Sequence, residues 1–376
     1  MDSIYKDVVW IDFDMMEQFM VDVFKAVGVP EEDAKICADI LIESDKRGID
    51  SHGVGRLKPI YIDRIWEGVQ QPITKIDIIK EGPTTAVLDG NHGMGHVIGY
   101  RAMEMAIKKA KNYGMGMVAV RNSTHYGIAG YFTTMATQEG MIGITGTNAR
   151  PSIAPTFGVE PMLGTNPLTF GMPTDEDFPF VLDCATSVSQ RGKIEVYGRA
   201  NKELPEGWVI GEEGEARTDT QQVLIDLTKG KAALAPLGGL GEEQGGYKGY
   251  GYATVVEILS AALQGGSFLR ALSGFDIEGN KIPYGLGHFF IAIDISAFIE
   301  LEDFKKTAGD ICRELRASTK AKGQEHIYTA GEKEHLAWLE RKDKGVPVGG
   351  VLQKQMIELR DKLGLEKYKF SFETER

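Results

Sequence analysis

The chain has 376 residues, 42% of them hydrophobic and 26% charged, so it is long enough to bury a large core and has the balance of an ordinary globular protein. Its formal net charge of −12, with the basic residues scattered, disfavours a nucleic-acid partner. No apolar run reaches the length of a membrane span, and the amino-terminal stretch lacks a basic region followed by an apolar one, so the expectation is a cytoplasmic protein.

The first strong element is residues 30–47, "PEEDAKICADILIESDKR", which opens on Pro and acids, spaces Ala34, Cys37 and Leu41 as one helix face, and stops at Gly48. Directly after it, "DSHGVGRL" at 50–57 gathers an acid, a hydroxyl, an imidazole and a guanidinium. Asp-Ser is also an ordinary helix N-cap, so the octapeptide does not decide between a site and a cap. A helical stripe of Leu57, Tyr61, Ile62 and Ile65 follows to Gly68, with a break implied by Pro59.

From about 76 to 294 the pattern becomes short β-rich runs between Gly, Pro and Asn, among them "TTAVLDG", "GMVAVRN", "MIGITGTN", "LTFGMP", "FVLDCA" and "HFFIAIDI". Two longer helical stretches interrupt them, near Tyr131 to Glu139 and at "YATVVEILSAALQ". From Leu301 onward helical periodicity returns. The expected architecture is discontinuous: residues 1–75 and 300–376 form a helical domain from both chain ends, and 76–299 form a mixed α/β sheet domain.

Several polar segments punctuate the middle. "RNSTHYGIAGYF" at 121–132 puts His125 between a strand and a helix, a usual place for a site in an α/β layer. "GTNARP" and "LGTNPLTF" offer Asn148, Thr165 and Asn166, although turn chemistry explains such loops equally well. In "VLDCATSVSQRGK" a strand ends on Asp183 and leads through Cys184, Ala185 and Thr186 into a helix expected near Ser187, whose free amides suit a phosphate, with Arg191 or Lys193 adding charge. "PLGGLGEEQGGYKGYGYA" reads as a glycine-rich loop before the apolar helix, with Lys248 set to meet a phosphate or carboxylate. The nearest dinucleotide fingerprint, "GMGMVA", runs into a strand instead of following one, so the Rossmann context is missing. Three dispersed cysteines and the lack of HxH or HExxH spacing give no disulfide framework and no metal site.

"DSHGVGRL", "STHYGIAGYF", "LGTNPLTFGMP", "LDCATS", "GGYKGYG" and "GHFFIAID", in this order, resemble the type 2 malate/L-lactate dehydrogenase family over about residues 10–365. The resemblance implies an α/β (α+β) fold with a non-Rossmann, largely antiparallel cofactor domain, NAD or NADP as cofactor, and a homodimer. It implies a 2-hydroxy acid dehydrogenase, with malate and oxaloacetate first by frequency in the family, then lactate, ureidoglycolate, sulfolactate or a cyclic imino acid. His52 or His125 would be the acid/base, Ser51 a neighbour of it, and Arg56 the carboxylate clamp. Asp183, Cys184, Ala185, Thr186, Lys248, Gly331 and Glu332 would hold the cofactor, and Arg56, Asn148, Thr165 and Asn166 the substrate. Two departures stand out: Ala330 where relatives usually carry Pro, and Cys184 where Met is frequent. A hydrolase built on Asp50, Ser51 and His52 is disfavoured, because sequence neighbours rarely converge on one nucleophile.

Overall fold

The computed structural model describes residues 8–373. The chain opens with a short strand, β1 (Val9–Ile11), and two amphipathic helices, α1 (Phe13–Ala26) and α2 (Glu31–Lys46). Asp12 caps α1 by accepting from the Met15 amide at 3.0 Å, and Glu31, Glu32 and Asp33 complement the positive end of α2. After α2 the backbone passes through a 3₁₀ turn (Val54–Arg56) and a π-helical turn (Leu57–Ile62) before a short helix, α3 (Asp63–Trp66). Pro59 lies inside the π turn, so the break it implied is a widening of the helix.

Then come β2 (Asp77–Glu81), β3 (Thr85–Asp89), α4 (Gly95–Tyr113), β4 (Met115–Ser123), α5 (Ala129–Gln138), β5 (Met141–Thr147), β6 (Leu168–Met172) and β7 (Phe180–Cys184). A second group follows: α6 (Arg191–Arg199), β8 (Val209–Gly211), α7 (Thr220–Lys229), β9 (Ala232–Leu234) and α8 (Gly246–Ala261). The chain ends with β10 (Leu286–Asp294), α9 (Leu301–Ala317), α10 (Glu332–Arg341), β11 (Val346–Val348) and α11 (Gly350–Lys362).

The main sheet has the order β2-β3-β4-β10-β5-β6-β7. β3 and β4 run parallel, joined through α4, and the other neighbours are antiparallel. The central strand β10 arrives about a hundred residues after β7, so the sheet closes only when the α6–α8 excursion has been made. Ala86, Leu88, Val118, Val120, Phe290 and Ala292 face α4 and α5 in one apolar cluster.

Another core joins the two chain ends. Phe19, Phe24, Leu41, Leu57 and Tyr61 pack with Val346, Val348, Met356 and Phe370, and β1 pairs with β11. Tyr368 and Phe370 meet Phe19 edge-on at centroid distances of 5.1 and 5.3 Å. α9 is held elsewhere: Arg313 pairs with Asp175 at 2.8 Å, and Arg316 with Glu176.

Three local expectations need correction. The helix expected near Ser187 starts at Arg191, because Thr186 bonds the carbonyls of the Thr165–Asn166 loop and Ser187 bridges to Pro236. The "GGYKGYG" segment is the start of α8 and not a loop ahead of it. Finally, α4, at 19 residues, was not anticipated among the short β-rich runs.

Candidate active site

The geometry of the "DSHGVGRL" loop begins with α2. Asp45, buried near the carboxyl end of that helix, accepts from the Val54 amide at 2.8 Å, and burial pushes its carboxyl well above the usual carboxylate range. A Cβ on Gly53 would lie 2.0 Å from that carboxyl, so the glycine of the motif admits the acid beneath the loop. Two turns complete the path, with His52 N–H on Ile49 C=O at 2.9 Å and Arg56 N–H on Gly53 C=O at 2.8 Å.

This path brings His52 opposite His125, although 72 residues of chain lie between them. Their rings stack with centroids 5.7 Å apart and planes 21° from parallel. Ser51 Oγ lies 2.9 Å from His52 Nδ1. Tyr61, turned inward by the π turn, places its hydroxyl 2.6 Å from His125 Nδ1. The Gly127 amide also donates to that nitrogen, at 3.3 Å. An amide only donates, so in the resting neutral ring Nδ1 accepts and Nε2 carries the hydrogen. Burial pushes the His52 imidazole down to about 4, helped by the Arg56 charge. Burial likewise lowers His125 well below its ordinary range, with His52, Arg64, His96 and Arg56 adding to the effect.

Arg56 donates its Nε–H to the Ser51 carbonyl, and no ion pair with an acidic side chain is seen for it among the described residues. Two further arginines stand nearby. Arg64 lies over the Tyr284 ring at 4.3 Å, and burial lowers its pKa against the opposing influence of Tyr284 and Tyr61, while the Arg150 charge lowers it further. Cationic groups around two neutral imidazoles make this end of the molecule ready for an anion.

The segments expected to hold a cofactor lie on the other side of the His125 loop. Asp183, on β7, accepts from the Gly130 amide at 2.7 Å and from the Thr169 hydroxyl at 3.1 Å. Burial raises its carboxyl despite these two bonds. Asp183 and Gly331 line one cavity of about 230 Å³ with Arg47, Phe178, His335 and Trp338. A Cβ on Gly331, which has φ +92°, would come within 2.6 Å of the Pro179 carbonyl. Thr186 is spent on structure: its amide and hydroxyl bond the Thr165 carbonyl, and the hydroxyl also bonds that of Asn166. Leu237 N–H donates to the Thr186 carbonyl, and a Cβ on Gly249 would strike the Leu237 carbonyl at 2.2 Å. Thus "LDCATS" and "GGYKGYG" do meet, through Leu237. Lys248 is exposed in the first turn of α8, near Tyr247 at 5.7 Å, with no ion pair seen among the described residues.

One family model, described as malate/L-lactate dehydrogenase, matches residues 11–357. The chain belongs to the malate/L-lactate dehydrogenase family. Among the relatives in this family are a malate dehydrogenase of Pyrococcus horikoshii, 46% identical over 94% of this chain and 95% of its own length, and an L-sulfolactate dehydrogenase of Methanocaldococcus jannaschii, 40% identical over 93% and 96%. The crystal structure of malate dehydrogenase from Entamoeba histolytica superposes with a TM-score of 0.92 at 46% identity, covering 97% of this chain and 99% of that one.

Against the family reading, the remaining expected residues divide. Asn148 and Asn166 have no exposed surface. Asn148 accepts from Gly287 N–H at 2.8 Å and donates to Ser267 C=O at 3.2 Å, whereas Asn166 donates to the Glu257 carboxylate at 2.8 Å and to Ala253 C=O at 3.0 Å. They hold loops together beneath the surface. Glu332, the first residue of α10, accepts from Thr329 N–H in the preceding turn at 2.9 Å. Cys184 Sγ faces the Leu168 carbonyl at 3.9 Å, and Ala185 and Thr165 stay partly exposed beside Thr186. Tyr61 and Arg64 escaped sequence reasoning. The apolar stripe containing Tyr61 is core, as read, but it does not reveal that the ring's hydroxyl reaches a histidine.

Proposed function

We propose that the protein is a malate dehydrogenase that uses NAD or NADP, with His125 exchanging the proton at the C2 oxygen and Arg56 holding the adjoining carboxylate. The observation that carries this reading is the His52–His125 pair facing uncompensated Arg56, with Tyr61 fixed on His125 Nδ1. Arg suits the clamp because its planar fork makes two hydrogen bonds to one carboxylate. Arg64 and Arg150 add positive charge for the second carboxylate of a diacid, which favours malate over lactate. The relatives named malate dehydrogenase, at 45–46% identity, support the same choice.

When bound, a nicotinamide would take the hydride from C2 of the hydroxy acid. The residues present fit such a cofactor: the Asp183 carboxylate has lone pairs left for an amide or hydroxyl, Gly331 leaves the cavity wall without a side chain, and Lys248 with the α8 amino terminus suits a pyrophosphate. For His125 to accept the hydroxyl proton at Nε2, the ring must leave its resting tautomer, moving its hydrogen to Nδ1 and giving up the bond from the Gly127 amide. The Tyr61 oxygen is positioned to receive that Nδ1–H, because a hydroxyl both donates and accepts. His52 and Ser51 form the opposite wall.

We read the cofactor region as non-Rossmann, supported by a sheet whose only parallel pair among the described strands is β3–β4. The shared core of the two chain ends supports the two-domain reading. A homodimer is supported by the outer face of α8, where Tyr247, Tyr252, Val255 and Ile258 are all exposed.

The test is reduced-nicotinamide absorbance with malate, lactate, sulfolactate and ureidoglycolate, each with NAD and NADP. Malate should give the highest kcat/KM with one of the two cofactors. Absence of any signal across the panel would sink the reading.

A further inference from the structure

The catalytic loop is held by something its own sequence does not contain. Of its residues, only Gly53, Val54 and Leu57 are buried, whereas Ser51 is exposed and His52 and Arg56 are partly exposed, so apolar burial alone does little to fix 50–52. The polar anchor comes from the far end of the chain. Arg341, the last residue of α10 and only 5% exposed, donates from Nη1 to Asp50 Oδ1 at 2.5 Å and from Nη2 to Oδ2 at 3.0 Å. Its Nη1 also donates to the Asp45 carbonyl at 2.7 Å. Two parallel bonds between a guanidinium and a carboxylate fix direction as well as distance. At the other end of the same helix, Gly331, Glu334, His335 and Trp338 line the cavity that contains Asp183.

We propose that Arg341 is a positioning residue for catalysis: its bonds to Asp50 and to the Asp45 carbonyl hold residues 50–56 so that His52 and Arg56 face His125. The inference rests on the dehydrogenase reading for its kinetic consequence, though not for its structural one. Arg341 touches neither imidazole by any bond described above, and acts through Asp50. Asp50, the first residue of the "DSHG" motif, thereby gains a task distinct from capping. The same ten-residue helix thus both lines the Asp183 cavity and anchors this loop.

Amide hydrogen exchange and steady-state kinetics on Arg341→Lys, Arg341→Met and Asp50→Asn test this. Exchange of the amides in 50–56 should rise about tenfold or more in Arg341→Met, the scale of a lost charge-assisted hydrogen bond, while that of α4 and the β4–β10 pair stays put. Activity should show kcat for malate down about tenfold with cofactor affinity within about twofold, and Arg341→Lys should recover part of the loss because charge remains without the fork. If Arg341→Met does not fold, Asp50→Asn must show the same local rise in exchange. Unchanged exchange in 50–56, or a rise spread evenly over the whole chain, overturns the proposal. Local loosening of the loop in a protein that turns over no acid with either cofactor upholds the positioning of the loop and sinks the dehydrogenase reading alone.

Discussion

Around His125 partly exposed polar side chains face one another, whereas around Thr186 they are consumed by the backbone. His52, Arg56 and Lys248 retain donors or acceptors that no protein group fills in the bonds described, but Thr186 and Asn148 have theirs committed to loop backbone. Both regions are rich in the residue types from which sites are made. What separates them is the hydrogen-bond accounting: a side chain that satisfies buried backbone has little left for a ligand.

The largest expected effect breaks or confirms the first half of that contrast. His125→Gln should lower kcat for malate by about 100-fold or more, the scale for losing an acid/base group, with cofactor affinity nearly unchanged. The pH dependence follows from the sign of the shift. Oxidation needs the neutral imidazole, and burial with the neighbouring cations keeps His125 neutral well below its ordinary pKa. Wild-type kcat/KM for malate should therefore stay level as pH falls through about 6.5 and decline only at more acid pH. A half-drop centred on the ordinary histidine value would show that the ring is solvated and that burial does not hold it neutral.

How much of this was legible in the residues depended on which physical signal each element carries. α2 announced itself because Pro30, three acids and Gly48 mark both its ends. β4 and β10 did so because each is a β-rich run bounded by Gly or Asn. α4 was obscured by Gly95 and Gly99, which suggest turns, yet Gly99 is there because a Cβ would meet the Phe132 ring at 2.8 Å. The start of α8 was hidden in the same way, since Gly249 serves packing on Leu237 and not looping. His52, His125 and Arg56 could be named from motifs, but Tyr61 could not. Its ring is core, as the stripe implies, and its role depends on the π turn and the distant His125 loop bringing its hydroxyl to that histidine, which helical periodicity does not contain.

A second experiment sharpens the contrast by separating groups that lack partners for different reasons. His96 is fully buried against Tyr61, with ring centroids 4.4 Å apart, and neither of its nitrogens has a hydrogen-bond partner among the described residues. It faces no gap. Burial pushes it down to about 3, so it is neutral when folded but takes a proton near pH 6.5 when unfolded. The unfolded state thus binds more protons below pH 6.5, and stability is full above that pH and lost as pH falls toward the folded value. His96→Phe should flatten the acid limb of unfolding free energy by about 1.4 kcal/mol per pH unit between roughly pH 6 and 4. Denaturant titrations at a series of pH values would measure it, and an unaltered slope would mean that His96 is hydrated and belongs with the site.

The smallest effect is the most discriminating, because it crosses the two regions. Lys248 and Thr186 come from neighbouring segments, and both were expected to hold the cofactor. The structure gives them opposite accounts: Lys248 is exposed beside a helix amino terminus with no ion pair seen among the described residues, and Thr186 is buried with its hydroxyl on the Thr165 and Asn166 carbonyls. Removing the lysine leaves no buried group unsatisfied, so Lys248→Ala should leave thermal stability unchanged while weakening cofactor binding about five- to tenfold, as for one lost charged hydrogen bond. Thr186→Val keeps the shape and deletes the hydroxyl, so it should cost about 1 kcal/mol of stability, with cofactor affinity unchanged. Titration of each cofactor into both variants, beside their unfolding curves, gives a two-by-two outcome. A weakened affinity in Thr186→Val alone would mean that its hydroxyl turns toward the cofactor on binding, and that bonds made to loop carbonyls are not a reliable guide to which polar residues are spent.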